Sequence, residues 1–177
     1  AIHIGMDFNI DPMSAAVFQL KNNIINFIDE IVIYSSNTDE LVKEIKTRYP
    51  DRQIIVYPDP ACRQRKTSAG GKTDLNILQN AGLTVRVKNA HPQVRDRINA
   101  VNSRLKNTND QRMMFIDPKC KNIIRGLERH LYKEGTTQPD KDSGFDHMND
   151  AIGYAVDYLF PIRKQYTKQL PQRWSVK

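Results

Sequence analysis

Four aspartates have the residue type and the spacing expected of a metal site. Asp7 follows a short apolar run in HIGMDF, and Asp59 follows a second apolar run in IVYPDP. Asp146 and Asp150 lie four residues apart in a segment with helical periodicity, so both can face the same point. A buried carboxylate is costly unless it is paired or metal-bound, and carboxylate oxygens favour Mg²⁺ or Mn²⁺. If the three segments meet, the sequence predicts that these four side chains hold a divalent cation.

Each of the four aspartates also has a purely structural interpretation. Asp7 could end its strand as a turn residue, and Asp59 precedes a proline, which is typical of an ordinary turn. Asp146 could cap the N-terminus of its helix, and Asp150 could face solvent in the middle of it. Spacing alone leaves both interpretations open at each position.

Four further acids are assigned to structure. Asp11 and Asp117 each precede a proline, and we predict that both serve in turns. Asp29 and Glu30 are neighbours on a predicted strand, where they would form its solvent face. One of these two could instead support the metal site from behind its ligands.

The stretch SAGGKTD, residues 68–74, ends like the phosphate-binding loop of nucleotide-binding proteins. That loop requires a glycine five positions before Gly71, where this chain has Lys66. The preceding apolar run ends at Tyr57, so the stretch does not leave a strand directly. The sequence therefore argues against a nucleotide site here.

A basic loop is the alternative interpretation of the same stretch. Its cations, which would suit the phosphates of a nucleic acid, are Arg63, Arg65, Lys66 and Lys72. We predict that Thr73 caps the helix that follows. The loop could also be a solvated surface connection without a partner.

The composition is compatible with one domain and a phosphate-rich partner. The chain has 177 residues, a formal net charge of +7 and an isoelectric point of about 9.4. No apolar run approaches the roughly 20 residues that span a bilayer. Cys62 and Cys120 match no metal or redox spacing, which favours a reducing compartment. Because the chain begins within a predicted strand, we expect it to be one domain of a longer protein.

The apolar pattern predicts strands and helices that alternate after an initial hairpin. The turn residues Lys21, Asn22 and Asn23 join the second strand to the third, so the first three strands are predicted to be antiparallel. The predicted strands are residues 2–9, 14–22, 25–34, 52–59, 83–89 and 112–117. The predicted helices are residues 37–50, 73–82, 92–107, 120–133 and 145–160. This order predicts a mixed α/β domain, and it resembles the ribonuclease H-like fold, with a mixed central sheet flanked by helices.

In that fold the fourth strand pairs parallel beside the first. The carboxyl ends of those two strands would then adjoin, which would bring Asp7 and Asp59 to one edge of the sheet.

Three motifs occur in order along the chain. They are HIGMDFN at 3–9, YPDPACRQR at 57–65 with GGKTDLNIL after it, and FDHMNDAIGYAVDYL at 145–159. Together they resemble the C-terminal nuclease domain of the large terminase subunit of tailed bacteriophages. The resemblance covers about residues 2–160 and therefore nearly the whole chain.

The last motif carries most of the specificity. The final helix of that family typically reads D-H-x-x-D-A-x-x-Y, which Asp146, His147, Asp150, Ala151 and Tyr154 match. By this resemblance, the catalytic metal-binding triad is Asp7, Asp59 and Asp150. Asp146 is a further candidate ligand.

The resemblance also implies a mechanism and partners. Two ions, Mg²⁺ or Mn²⁺, would activate a water and stabilise the leaving 3′ oxygen during hydrolysis of double-stranded DNA. The family cuts concatemeric viral DNA during genome packaging, together with a terminase small subunit and the portal protein. The ATPase motor would lie on a part absent from this chain. The protein would work in the host cell cytoplasm and stay outside the mature virion.

Two domain regions and two rival functions complete the expectations. We expect a nuclease domain at 1–160 and a basic tail at 161–177, which is either a disordered end or a docking arm for the portal. Another ribonuclease H-like nuclease, such as a Holliday-junction resolvase, would use the same acids. A non-catalytic DNA-binding module would use only the basic surface.

Overall fold

The computed structural model describes residues 1–9, 11–64, 73–129, 144 and 146–162. Within this part of the chain, six strands form one sheet with helices on both faces. The strands are β1 (Ile2–Asp7), β2 (Met13–Lys21), β3 (Ile24–Ile33), β4 (Ile54–Pro58), β5 (Thr84–Val85) and β6 (Met114–Ile116). The helices are α1 (Thr38–Arg48), α2 (Asp74–Asn80), α3 (Val94–Leu105), α4 (Lys121–Arg129) and α5 (Asp146–Leu159), with a short 3₁₀ turn at Pro60–Arg63.

The sheet order is β5-β4-β1-β2-β3-β6. Strands β1, β2 and β3 are antiparallel, and β4 pairs parallel with β1. Asn22 and Asn23 both have positive φ angles, as a two-residue hairpin turn requires. The predicted α/β class and the antiparallel order of the first three strands are confirmed.

Two apolar clusters hold helices to the two faces of the sheet. On one face, Ile123 of α4 and Ile152 of α5 pack with Phe18 of β2. On the other face, Leu41 of α1 and Leu78 of α2 belong to a second cluster, which also contains side chains from the strands. The free cysteines, Cys62 and Cys120, are buried. Of the helices described, none is long and apolar enough to cross a membrane.

Gly5 determines how closely α5 approaches the sheet. A Cβ atom at Gly5 would lie 2.1 Å from the backbone oxygen of Ala151, much closer than any real contact. Because glycine has no Cβ, the helix rests directly on the middle of β1. This approach brings the start of α5 over the carboxyl end of β1, where Asp7 lies.

The predicted strand at 83–89 is wrong in its extent, since β5 contains only Thr84 and Val85. The ladder with β4 ends where Arg86 donates its backbone N–H to the oxygen of Val56. The next bond of a parallel ladder would need an N–H from Pro58, which proline lacks. The chain then leaves the sheet, and Lys88 pairs with Asp157 of α5.

The predicted solvent face at Asp29 and Glu30 also needs correction. Asp29 accepts a hydrogen bond from the Tyr49 hydroxyl at 2.7 Å. Glu30 accepts the backbone N–H groups of Asn122 and Ile123 at 2.9 and 2.8 Å and so caps α4. Neither lines the cleft described below, so neither supports the predicted site.

Candidate active site

A cleft of about 480 Å³ lies at the carboxyl ends of β1 and β4. Residues that line it come from β1, the 3₁₀ turn, α2, α3 and α5. The aspartates in its wall are Asp7, Asp59, Asp74, Asp146 and Asp150. All four sequence-predicted acids therefore meet in one place, and Asp74 joins them.

Asp7 is the last residue of β1 and is only 8% exposed. Burial and the nearby carboxylate of Asp150 raise its pKa to about 6, with a smaller contribution from Asp59. Nδ1 of His147 lies 3.1 Å from Asp7 Oδ2, and this contact opposes the rise. The raised pKa therefore reflects burial first and the neighbouring carboxylates second.

Asp59 follows β4 directly, where it caps a turn and also lines the cleft. Its Oδ1 accepts the backbone N–H of Ala61 at 2.8 Å, which caps the 3₁₀ turn. Its Oδ2 accepts the hydroxyl of Tyr154 at 3.1 Å, and Nδ1 of His91 lies 3.3 Å from Oδ1. Asp59 therefore caps a turn and also lines the cleft.

The two aspartates of α5 are one turn apart and both face inward. Asp146 is the first residue of the helix rather than its cap, and it is 5% exposed. Its Oδ1 is buried, has no hydrogen-bond partner among the residues that the structure describes, and lies 3.6 Å from His147 Nε2. Asp150 accepts a hydrogen bond from Nη1 of Arg97 at 2.7 Å, so it does not face free solvent.

Sequence reasoning missed Arg97 as a site residue. No role is predicted for Arg97 from the sequence, but the structure leaves it only 5% exposed. A signal was present, because Arg97 lies three residues after Val94 and four before Val101, on the apolar face of the same helix. The pairing of Arg97 with Asp150, 53 residues away, has no local signature.

Asp74 was also missed. It is buried at the start of α2 and accepts the hydroxyl of Thr38 at 2.6 Å. This bond ties α2 to α1 beside the cleft. An acid in the first helical turn is common, so its type and position alone give no functional signal.

The predicted DNA-binding loop is described only at its edges. Arg63 is exposed at the end of the 3₁₀ turn, and its Nη2 lies 3.3 Å from the Val87 oxygen. Arg65, Lys66 and Lys72 lie outside the described residues. Gln64 and Asp74, which flank this segment, both line the cleft. The segment therefore starts and ends at the cleft, and its contact with DNA stays a prediction.

The donor atoms of the cleft suit a hard cation, although no ligand set is assembled in this conformation. Among the residues described, no group of three or more His, Cys, Asp or Glu side chains is arranged to hold a metal ion. One reason is that Asp7 and Asp150 turn an oxygen each toward His147 and Arg97. The crowded carboxylates and the orphaned Oδ1 of Asp146 nevertheless fit a group that brings positive charge.

Solved structures share this fold. The large terminase of a thermophilic bacteriophage, in complex with ATP-gamma-S, has a TM-score of 0.67 and 21% identity, over 90% of this chain and 40% of that protein. The nuclease domain of the g2p large terminase of bacteriophage SPP1, with bound Mn, has a TM-score of 0.56 and 20% identity, over 88% of this chain and 85% of that one. The large terminase nuclease of thermophilic phage G20c, with bound magnesium, has a TM-score of 0.61 and 15% identity, over 88% and 80%.

Identities this low establish the common fold and nothing finer. The chain spans about two fifths of the length of the terminase solved with ATP-gamma-S. No curated protein sequence matches it. The family match is more extensive, because residues 4–159 match the family described as the terminase RNaseH-like domain. Because the match covers nearly the whole chain and the sheet order agrees with the shared fold, the chain belongs to the terminase RNaseH-like domain family.

Proposed function

We propose that this domain is a metal-dependent DNA endonuclease that cuts concatemeric viral DNA during genome packaging, by two-metal-ion hydrolysis of the phosphodiester bond. One observation carries the proposal. Asp7, Asp59 and Asp150 come from three separate elements and meet in one cleft, where burial and the two neighbouring carboxylates raise the pKa of Asp7. Nuclease domains of the same fold that contain Mn or magnesium support it.

The candidate ligands are Asp7, Asp59 and Asp150, with Asp146 at the edge of the set. When bound, Mg²⁺ or Mn²⁺ would supply an activated water and neutralise charge on the leaving 3′ oxygen. Both Asp150 and Asp59 act on the pKa of Asp7, so all three carboxylates interact through Asp7. It is therefore the candidate to contact both ions.

The remaining residues of the cleft orient these carboxylates. With its proton on Nδ1, His147 donates a hydrogen bond to Asp7 and holds that carboxylate in one rotamer. Tyr154 orients Asp59 in the same way, through the hydrogen bond that its hydroxyl donates. Arg63, with Arg65, Lys66 and Lys72, would bind DNA phosphates next to the acids and so direct the scissile bond into the cleft.

The wider setting follows the family. We infer that the domain acts beside an ATPase motor on another part of the protein, with double-stranded DNA, a terminase small subunit and the portal protein as partners. Its place of work would be the host cell cytoplasm, outside the mature virion. The tail at 161–177, which is described only as far as Ile162, is proposed as a docking arm for the portal.

Plasmid nicking with separate Asp7→Asn, Asp59→Asn and Asp150→Asn variants tests the proposal. We expect Mg²⁺- or Mn²⁺-dependent cutting by the wild type, loss of cutting with a chelator, and at least a 100-fold loss in each variant. Asp110→Asn is the control, because Asp110 is exposed and pairs only with Lys106 among the described contacts. Normal activity in Asp7→Asn would exclude Asp7 as a ligand.

The same assay separates the rival functions. A branched four-way junction that is cut much faster than linear duplex would identify a junction resolvase. DNA binding without any metal-dependent cutting would indicate a non-catalytic module. Linear duplex cut at a comparable or higher rate than the junction supports the packaging nuclease.

A further inference from the structure

Arg97 connects two of the candidate ligands through a continuous set of contacts. Its Nη1 donates to Asp150 Oδ1 at 2.7 Å, and its guanidinium carbon lies 4.4 Å from the ring centroid of Tyr154. The hydroxyl of Tyr154 in turn donates to Asp59 Oδ2 at 3.1 Å. The contacts run Asp59, Tyr154, Arg97, Asp150 and cross the cleft from the end of β4 to α5.

The packing holds Arg97 in this place. It is 5% exposed on α3, and the facing residue of α5 is Gly153. A Cβ atom at Gly153 would lie 3.4 Å from the Cβ of Arg97, at ordinary van der Waals distance, so the arginine stem packs directly against α5. A buried guanidinium that stacks on a ring and also hydrogen-bonds a carboxylate is well fixed, because its planar shape serves both contacts.

We propose that Arg97 is a positioning residue that sets the orientation of Asp150 directly and of Asp59 through Tyr154. The proposal rests on the proposed function, since it concerns ligands of the candidate metal site. Arg97 occupies one oxygen of Asp150, so a cation would meet the other oxygen of that carboxylate. Its positive charge also offsets the repulsion among the acids.

The expected change in metal affinity can be estimated from the known effect of residues that hydrogen-bond to metal ligands. Removing a hydrogen-bond partner that orients a ligand typically weakens metal binding by about 10–100-fold. Arg97→Gln removes both the charge and the ring contact, so we expect a loss in that range. Arg97→Lys keeps the charge but not the planar stack, and we expect part of the affinity to return.

The test is calorimetric titration of the 177-residue chain with Mn²⁺, without DNA, combined with thermal melting. Tyr154→Phe keeps the ring under Arg97 and removes only the hydroxyl bond to Asp59. We expect it to weaken Mn²⁺ binding less than Arg97→Gln does. In the double variant, the Tyr154→Phe effect should shrink, because Arg97 acts on Asp59 through that ring.

Arg104→Gln is a matched control on the same helix. The guanidinium carbon of Arg104 also lies over an aromatic ring, 3.7 Å from the centroid of Phe160, but Arg104 does not line the cleft. We expect Arg104→Gln to lower the melting temperature through the lost stacking and to leave Mn²⁺ affinity at the wild-type value. This control separates loss of packing from loss of ligand orientation.

Two results with the Arg97→Gln variant would overturn the inference, and further outcomes apply if that variant does not fold. Mn²⁺ affinity in folded Arg97→Gln equal to that of wild type would mean that Arg97 is only structural, and tighter binding would mean that it competes with the ion. If Arg97→Gln does not fold, Arg97→Lys and Tyr154→Phe decide, and normal affinity in both would refute it. A wild-type chain that neither binds Mn²⁺ nor cuts DNA would instead refute the proposed function, and the inference with it.

Discussion

At the scale of single residues, the buried acids make the metal-free cleft unfavourable. Asp7 is 8% exposed, and Asp150 and Asp59 add negative charge around it. The contacts from His147 and Arg97 relieve only part of this repulsion. A bound cation would relieve the rest.

Asp7→Asn should therefore stabilise the metal-free domain. Burial and neighbouring carboxylates raise the pKa of Asp7 from 3.8 to about 6, so between these values the folded state holds more protons than the unfolded state. The free energy of unfolding of the wild type falls as pH rises through this window, and the penalty is complete above it. At neutral pH the gain in the variant is on the order of 2 kcal/mol, or roughly 4–8 °C in melting temperature.

Melting curves in a chelating buffer at about pH 7.5 and about pH 3.5, on either side of that window, check this expectation. The gain should appear at the higher pH and vanish at the lower one, where Asp7 is protonated in both states. Asp110→Asn, on the exposed surface, should show no gain at either pH. A variant less stable than wild type at the higher pH would show that the His147 contact outweighs the repulsion.

At the scale of elements, the packing of α5 on β1 determines whether the acids meet. The two elements touch through Gly5 and the backbone of Ala151. Asp146 and Asp150 are on this helix, and Asp7 ends this strand. A small shift of the helix would therefore separate ligands from different elements.

Gly5→Ala is expected to damage both stability and cutting. The new methyl group would lie 2.1 Å from the Ala151 oxygen, so α5 must move away from the sheet. We expect a loss of about 1–3 kcal/mol in the free energy of unfolding, and nicking reduced by more than the lost folded fraction explains.

Gly82→Ala is the control for this substitution. Gly82 follows α2 with a φ of +80°, and a Cβ there would meet nothing within 4 Å. Alanine should cost about 1 kcal/mol through backbone strain while nicking by the folded protein stays normal. Equal nicking per folded molecule in the two variants would refute a role for Gly5 in placing the acids.

At the scale of the whole molecule, the net charge of +7 supports binding to a polyanion. The acidic cleft would repel DNA by itself, so the cations must lie at its edges. Gln64 and Asp74, which flank the predicted DNA-binding loop, both line the cleft wall.

Neutralising Arg63, Arg65, Lys66 and Lys72 together should weaken DNA binding and flatten its salt dependence. Each lost phosphate contact removes roughly 0.9 from the slope of log affinity against log salt. The control removes the same total charge elsewhere, at the exposed residues Lys21, Lys43, Lys46 and Arg52. Binding isotherms at several salt concentrations measure both slopes. An unchanged slope in the loop variant would make the loop a simple connection.

The elements could be predicted because their signals are local. Asn37 accepts the backbone N–H of Glu40 as the cap of α1, and Thr73 accepts that of Asn76 as the cap of α2. Gly82 has the positive φ that is typical of a glycine just beyond the end of a helix. Caps, turns and apolar periodicity act over a few residues, so the order of strands and helices can be deduced from the chain without its fold. The acids that end the strands can be deduced in the same way.

Contacts between distant residues could not be predicted, because they depend on how the chain folds. Arg97 reaches Asp150 across 53 residues, Glu30 caps α4 across 92, and His147 reaches Asp7 across 140. The early end of β5 depends on Pro58 in a neighbouring strand. Such contacts depend on strand order and on the close approach that Gly5 permits. Neither can be deduced from the residues that flank a position in the sequence. The physical reason is that burial and charge compensation are properties of the assembled cleft, whereas periodicity is a property of the chain.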